Sequence, residues 1–190
     1  MFYKITKRIF DIILSIIFMI FFIPFWVIIP LIIKIDSPGR IIYRQKRIGL
    51  DSSYFTIYKF RTMKEGTPDI PTDRLKNQES LNTRIGTILR RLSIDEIPQL
   101  INILKGDMSF VGPRPALHNQ ELLIRLRKEK GVDRVRPGVS GLAQISGRDA
   151  LSIPDKVMFD QLYIKDASTW LDIKIFLVTV KAALTGKGGN

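Results

Sequence analysis

From Ile12 to Ile33 the chain runs twenty-two residues without a charge, interrupted only by Ser15, Pro24 and Pro30. As an unbroken helix it would be about 33 Å long, enough for a hydrocarbon core of about 30 Å. A cleaved secretory signal fits poorly, because the apolar run is too long and no small-residue cleavage site follows it. Basic residues flank both ends, with Lys4, Lys7 and Arg8 before the run and Lys34, Arg40, Arg44, Lys46 and Arg47 after it. Lys/Arg-rich flanks favour the cytoplasmic side, so both ends are drawn to one face, which a single span cannot satisfy. Pro24 lies near the middle, where it deletes a backbone hydrogen bond and bends a helix. Two arrangements stay open: a helix that enters the bilayer, bends at Ile23–Pro24 and leaves on the same side, or a single span. The flanks favour the first; the cost of bent backbone exposed to lipid favours the second.

Charge narrows the partners. Thirty Lys+Arg against eighteen Asp+Glu leave the 190 residues at +12, which points to nucleic acid, an anionic membrane surface or phosphorylated substrates. With no Cys there are no disulfides, no thiolate catalysis and no Cys-based zinc or iron–sulfur site. A single histidine, His118, argues against a His-ligated metal cluster and is expected at the surface. Chemistry must rest on carboxylates, hydroxyls, Lys and Arg.

Beyond the apolar run the chain reads as one compact globular unit, α/β in class and mostly helical, with one small β-hairpin. Arg40–Ile48 and Tyr54–Phe60 are rich in Ile, Tyr, Phe and Thr and flank a Gly49–Ser53 turn, a hairpin signal. In the second strand Phe55, Ile57, Lys59 and Arg61 share a face, so two cations are expected to project together. Residues 64–80 read as a polar surface loop. Helices are expected over Thr83–Leu92, Pro98–Leu104 (stopped by Gly106) and Leu117–Lys130 (stopped by Gly131). The cations of the last, Arg125, Arg127, Lys128 and Lys130, are expected on a solvated face. Thr169 and Asp172 have capping-box spacing at the start of an apolar segment, Trp170–Leu184. That segment fits an interfacial amphipathic helix and a core helix equally well. The tail 186–190 is expected to be disordered.

The densest polar stretch is Arg90-Arg91-Leu92-Ser93-Ile94-Asp95-Glu96-Ile97-Pro98-Gln99. Ser93 and Glu96 have capping-box spacing, a purely structural role, but Pro98 weakens that reading because it lacks the amide a helix capped at Ser93 would use. With Pro98 in the first turn instead, Asp95 and Glu96 sit at the positive end of the helix, which holds Asp95 ionised as a nucleophile or metal ligand. In Gly112-Pro113-Arg114-Pro115, a proline on each side restricts the backbone around a side chain built for bidentate phosphate contact. Arg136-Pro137-Gly138-Val139-Ser140-Gly141-Leu142-Ala143-Gln144 and Arg148 add glycines beside Ser, Gln and Arg, suited to wrapping an anion and equally to plain turns.

These stretches, with Tyr58-Lys59-Phe60-Arg61-Thr62-Met63 and Leu104-Lys105-Gly106-Asp107-Met108-Ser109-Phe110, occur in the order found in one family. The chain resembles the small monotopic phosphoglycosyl transferases, the bacterial sugar transferase family. The resemblance implies a re-entrant membrane helix over 1–36 with its break at Pro24, and a cytosolic catalytic domain over 37–185 with interfacial amphipathic helices. It implies transfer of sugar-1-phosphate from a UDP-sugar to undecaprenyl phosphate at the cytoplasmic face of the bacterial inner membrane, releasing UMP through an aspartyl phosphosugar. It carries the family's catalytic Asp–Glu dyad onto Asp95 and Glu96, with Mg²⁺ as cofactor and Asp95 as its ligand. Arg90 is implied at the acceptor phosphate, Lys59 and Arg114 at the active-site phosphates, and Gln144, Arg148 and Asp160 near the donor; Asp160 could equally be a buried ion-pair partner. Membrane lipids are expected partners, nucleic acid is not, and a homodimer is compatible with the resemblance. A non-enzymatic basic membrane protein accounts for the charge and the apolar run, but not for the dyad or the Pro-Arg-Pro turn.

Overall fold

The computed structural model describes residues 2–68, 70, 78–147 and 150–185. The apolar run folds as two helices, α1 (Phe2–Phe21) and α2 (Ile23–Asp36), bent by 62°. The break is at Phe22, two residues before the expected proline. Pro24 falls in the first turn of α2, where a helix has no use for its missing N–H. Among the described residues no single helix is long and apolar enough to cross a membrane; only the bent pair meets that test, taken together.

The hairpin forms as β1 (Ile42–Ile48) and β2 (Tyr54–Phe60), antiparallel, with Ile42 opposite Phe60 and Ile48 opposite Tyr54. A short helix, α3 (Gln78–Leu81), precedes α4 (Arg84–Arg91), which Thr83 caps by accepting the Gly86 amide through its hydroxyl. Next come α5 (Gln99–Lys105), closed by Gly106 at φ 92°, and β3 (Ser109–Val111). The helix expected from Leu117 begins later, as α6 (Glu121–Glu129), because the Leu117 amide bonds to the Gln120 side chain across a turn. β4 (Gly138–Ser140), α7 (Leu142–Ser146), α8 (Ile153–Lys165) and α9 (Thr169–Leu184) complete the chain. β3 and β4 pair in parallel, Ser109 opposite Gly138 and Val111 opposite Ser140. The α9 capping box expected at Thr169 is not used: Ser168 caps the helix, and Asp172 instead accepts bonds from Tyr3, Lys7 and Tyr163.

The main core packs Ile57 and Phe60 of β2, Leu89 of α4, Leu100 and Ile103 of α5, and Phe110 of β3 against Ile29, Ile33 and Ile175. A smaller cluster of Ala116, Leu123, Val132 and Val157 joins α6 to α8. The bent pair is fastened to this body at both ends. Arg8 donates to the carbonyls of Ile103 and Leu104, the open end of α5, and buried Asp11 accepts from the Ser109 hydroxyl and the Phe110 amide. At the other end Arg61 donates to the carbonyls of Ser37 and Pro38, and Asp36 accepts the Ile85 amide. Helix α9 buries Ile175 and leaves Trp170, Leu177, Val178 and Leu184 exposed, so it has the packed face and the apolar outer face of both expected readings.

Candidate active site

The acidic pair sits where the chain turns from α4 into α5. Ser93 takes a left-handed conformation (φ 56°), an uncommon one for a residue with a Cβ, and starts a tight 3-10 turn over Ile94–Glu96. Its hydroxyl caps nothing there, so the capping-box spacing has no structural use. Pro98 lies at the N-terminal boundary of α5, which places both carboxylates just before that helix, on its positive side.

Neighbouring cations treat the two carboxylates differently. Lys59, projecting from β2, puts its Nζ 2.6 Å from Glu96 Oε1 and 3.7 Å from Asp95 Oδ2. Arg114 Nη2 is 3.7 Å from the same Glu96 oxygen. Asp95 is 6 % exposed and, among the described residues, its carboxylate accepts no hydrogen bond. Burial therefore pushes the Asp95 carboxyl up to about 6, against the pull of Lys59 and with the Glu96 charge adding to the rise. Burial acts on Glu96 too, but Lys59 and Arg114 outweigh it and hold its carboxyl down to about 2. At neutral pH both are ionised: Glu96 is the anchored anion, Asp95 a desolvated carboxylate with its lone pairs unengaged.

The dyad opens into a cavity of about 700 Å³. One part of its wall is cationic, formed by Lys59, Arg90, Arg114, Arg47, Arg127 and Lys156. Most of the rest is apolar, including Phe18, Phe22 and Phe25 at the helix bend, Phe110, and Phe176, Val180 and Leu184 of α9. The structure thus brings together Asp95, Glu96, Lys59, Arg90, Arg114 and Gln144 in one cavity. Gln144 donates its amide to the Val139 carbonyl there. Arg148 lies outside the described residues. Asp160 does not face the cavity: it is 1 % exposed and paired with Arg127 at 2.7 Å, the ion-pair alternative. Burial raises its carboxyl, with Arg127 opposing.

Two expectations need correction. Arg127 is not on a solvated face, since its side chain is 11 % exposed and points from α6 to Asp160 on α8. Arg61 does not join Lys59 at the site, because its guanidinium is used on the carbonyls after α2. Sequence reasoning missed Arg47, Arg127 and Lys156 in the wall; the only local hint is the alternation that puts Gln45 and Arg47 on one face of β1.

A buried carboxylate beside fixed cations, in a cavity with one basic wall and a larger apolar one, suits attack by that carboxylate on a phosphorus and the seating of a ligand that joins phosphate to lipid. The chain is similar to two larger proteins: the UDP-glucose:undecaprenyl-phosphate glucose-1-phosphate transferase of Escherichia coli (38 % identity, covering 97 % of this chain and 41 % of that one), and the UDP-N-acetylgalactosamine-undecaprenyl-phosphate N-acetylgalactosaminephosphotransferase of Aeromonas hydrophila (36 %, 99 % and 46 %). It spans less than half the length of either. It is also 43 % identical to the uncharacterized sugar transferase EpsL of Bacillus subtilis, over 82 % of this chain and 75 % of that one. The likeness takes in the bent helices, the dyad, the Arg114 turn and α9 alike: the family model for bacterial sugar transferases matches residues 2–186, and the chain belongs to that family.

Proposed function

We propose that the protein transfers sugar-1-phosphate from a UDP-sugar to undecaprenyl phosphate, through a phosphosugar carried on Asp95. The observation that carries this reading is the Asp95 carboxylate: buried, without a hydrogen-bond donor among the described residues, and beside a lysine engaged mainly by Glu96. A carboxylate needs no general base to be ionised at pH 7, which suits a chain with one histidine on its surface.

In the first step an Asp95 oxygen attacks the β-phosphorus of the donor, and the bond from that phosphorus to the α–β bridging oxygen breaks. UMP leaves with the electron pair. In the second, an oxygen of undecaprenyl phosphate attacks the same phosphorus and the Asp95 carboxylate leaves, giving the polyprenyl diphosphate sugar. Lys59 and Arg114 offset the charge that gathers on the phosphoryl oxygens, and Arg90 binds the acceptor phosphate. Gln144, and Arg148 beyond the described residues, contact the donor.

Mg²⁺ fits the donor set. Among the described residues no group of three acidic or His side chains could hold a metal unaided, but Mg²⁺ is commonly held by one or two carboxylates plus substrate phosphates. Asp95 and Glu96 would supply the carboxylates, and the ion, when bound, neutralises phosphate charge. The related proteins named above differ in their sugars; a hexose, an N-acetylhexosamine or a deoxy-diamino sugar would all use the same phosphate machinery.

The bent pair is read as a re-entrant anchor in the bacterial inner membrane that holds residues 37–185 on the cytoplasmic face. Support comes from its length, its 62° bend and the fastening of both its ends to one body. The exposed apolar side of α9 would then lie along the interface.

Membrane-embedded protein with Mg²⁺ and a panel of radiolabelled UDP-sugars, without lipid acceptor, tests the chemistry. Wild type should acquire a protein-bound phosphosugar and Asp95→Asn should not. Label persisting in Asp95→Asn would move the nucleophile elsewhere, and release of UDP instead of UMP would end the sugar-1-phosphate assignment.

A further inference from the structure

The Pro113–Pro115 turn is held by two arginines that use the same geometry, one from β1 and one from α6. Arg127 sets its Nε and Nη2 on a single oxygen of Asp160, at 2.9 and 2.7 Å, and its Nη1 on the Arg114 carbonyl at 2.6 Å. Arg47 sets its Nε, at 2.8 Å, and its Nη2 on the side-chain oxygen of Gln45, and its Nη1 on the Pro115 carbonyl at 2.9 Å. Both anchoring side chains are buried, Asp160 at 1 % and Gln45 at 7 % exposure. The flanking carbonyls are fixed as well, Pro113 by the Gly138 amide of β4 and Ala116 by the Ile48 amide of β1. Four consecutive carbonyls, 113 to 116, thus accept donors from β4, α6 and β1. Prolines at 113 and 115 take two amides out of the turn, so it cannot hold itself by local ladder bonds. The product of this bracing is the placement of one half-exposed guanidinium, that of Arg114, 3.7 Å from Glu96.

We infer that Arg47 and Arg127 are positioning residues which fix Arg114 against the dyad, and that Gln45 and Asp160 act on the reaction only through them. Neither arginine need touch the transferred phosphoryl group, and Asp160 binds neither donor nor metal. A guanidinium is required because one planar group must grip an anchor with two donors and reach a carbonyl with a third; a lysine has the charge but not the fork. The inference rests on the proposed phosphosugar transfer, in which Arg114 serves the phosphates.

A double-mutant cycle on protein labelling separates action through Arg114 from direct action. Asp160→Asn and Arg127→Lys should each slow labelling about 10- to 100-fold in a wild-type background, and less than about 2-fold further when Arg114 is already Ala. Losses that multiply in the Arg114→Ala background would overturn the inference. Because breaking a buried pair from one side can unfold a domain, Arg127→Met with Asp160→Leu supplies the control: it keeps volume, removes the buried ions and should fold. If it melts like wild type yet labels at the wild-type rate, the clamp has no function. Hydrogen exchange at the amides of Ile48, Gly112 and Gly138, which bond to the turn or beside it, needs no donor and should speed up at least 10-fold in Arg127→Lys; unchanged exchange also overturns the inference. A wild-type protein that none of the UDP-sugars labels, while exchange responds as expected, would end the transfer reading and leave the clamp standing.

Discussion

Asp95 and Glu96 are neighbours in the chain with opposite carboxyl shifts, because they share cations unequally. Lys59 bonds Glu96 at 2.6 Å and reaches Asp95 only at 3.7 Å. This asymmetry gives a signed stability prediction. The folded Asp95 carboxyl, at about 6, lies above its ordinary 3.8, so the stability tied to its protonated form is full below about pH 4 and lost as pH rises through 6. At pH 7.5 its ionisation costs folding about 1–3 kcal/mol. Asp95→Asn, which cannot ionise, should raise the metal-free melting temperature at pH 7.5, and the gain should shrink to nothing near pH 4; a gain of equal size at both pH values would contradict the shift. Lys59→Met removes the cation both carboxylates share and leaves the Glu96 charge uncompensated, so it should cut labelling at least about 100-fold and also lower the melting temperature. The dyad was legible because its parts are adjacent and its prolines and arginines lie within a few positions. Its electrostatics were not, since Lys59 comes from 37 residues away in sequence and Arg114 from another loop. Arg127 and Asp160 are 33 residues apart, so the expected solvated face for Arg127 failed and the two readings of Asp160 stayed open: nothing in α6 or α8 alone reports the other helix.

Helix α4 delivers Arg90 to the cavity, and its seat depends on one glycine. Gly86 is buried in α4, and a Cβ there would fall on the backbone of Thr62, just past β2. Gly86→Ala should therefore push α4 away from the hairpin, destabilise the fold by about 1–3 kcal/mol and weaken acceptor binding more than donor binding. Melting temperature and the separate KM values for the two substrates check it; a KM change confined to the donor would mean that α4 does not carry the acceptor contact. At this scale the hairpin, α4 and α5 follow from alternation, a Thr cap and a Gly stop. The parallel β3–β4 pair does not, because three-residue strands are too short to show a period. The α9 cap was misplaced by one residue because Ser168 and Thr169 are adjacent hydroxyls, and tertiary contacts rather than spacing decide which one caps. Asp172 was free for Tyr3, Lys7 and Tyr163 only once α1 lay beside α9.

For the whole molecule, the question is which side of a bilayer each end of the apolar run occupies. The chain ties α1 down through Arg8 on α5 and Asp11 on β3, and ties the end of α2 through Arg61 and Asp36. Breaking such buried polar contacts to send one end across a membrane would strand Asp11 and the open carbonyls of α5 without partners, at several kcal/mol. Meanwhile Ile20 and Phe21, at the bend, are among the most exposed apolar side chains, at 63 % and 69 %. The proposed re-entrant reading, a bend in lipid with both ends in water, would account for these facts and would put the +12 charge on the side of the anionic leaflet. The natural chain has no cysteine, so single thiols report topology without background. Lys4→Cys and Arg40→Cys, both at exposed positions, should each react with an impermeant maleimide in inside-out vesicles and neither in intact cells. Phe21→Cys should stay protected in both. In a single span one terminal thiol would react from each side, and the bend would be a kink in a crossing helix, not the apex of a re-entrant one.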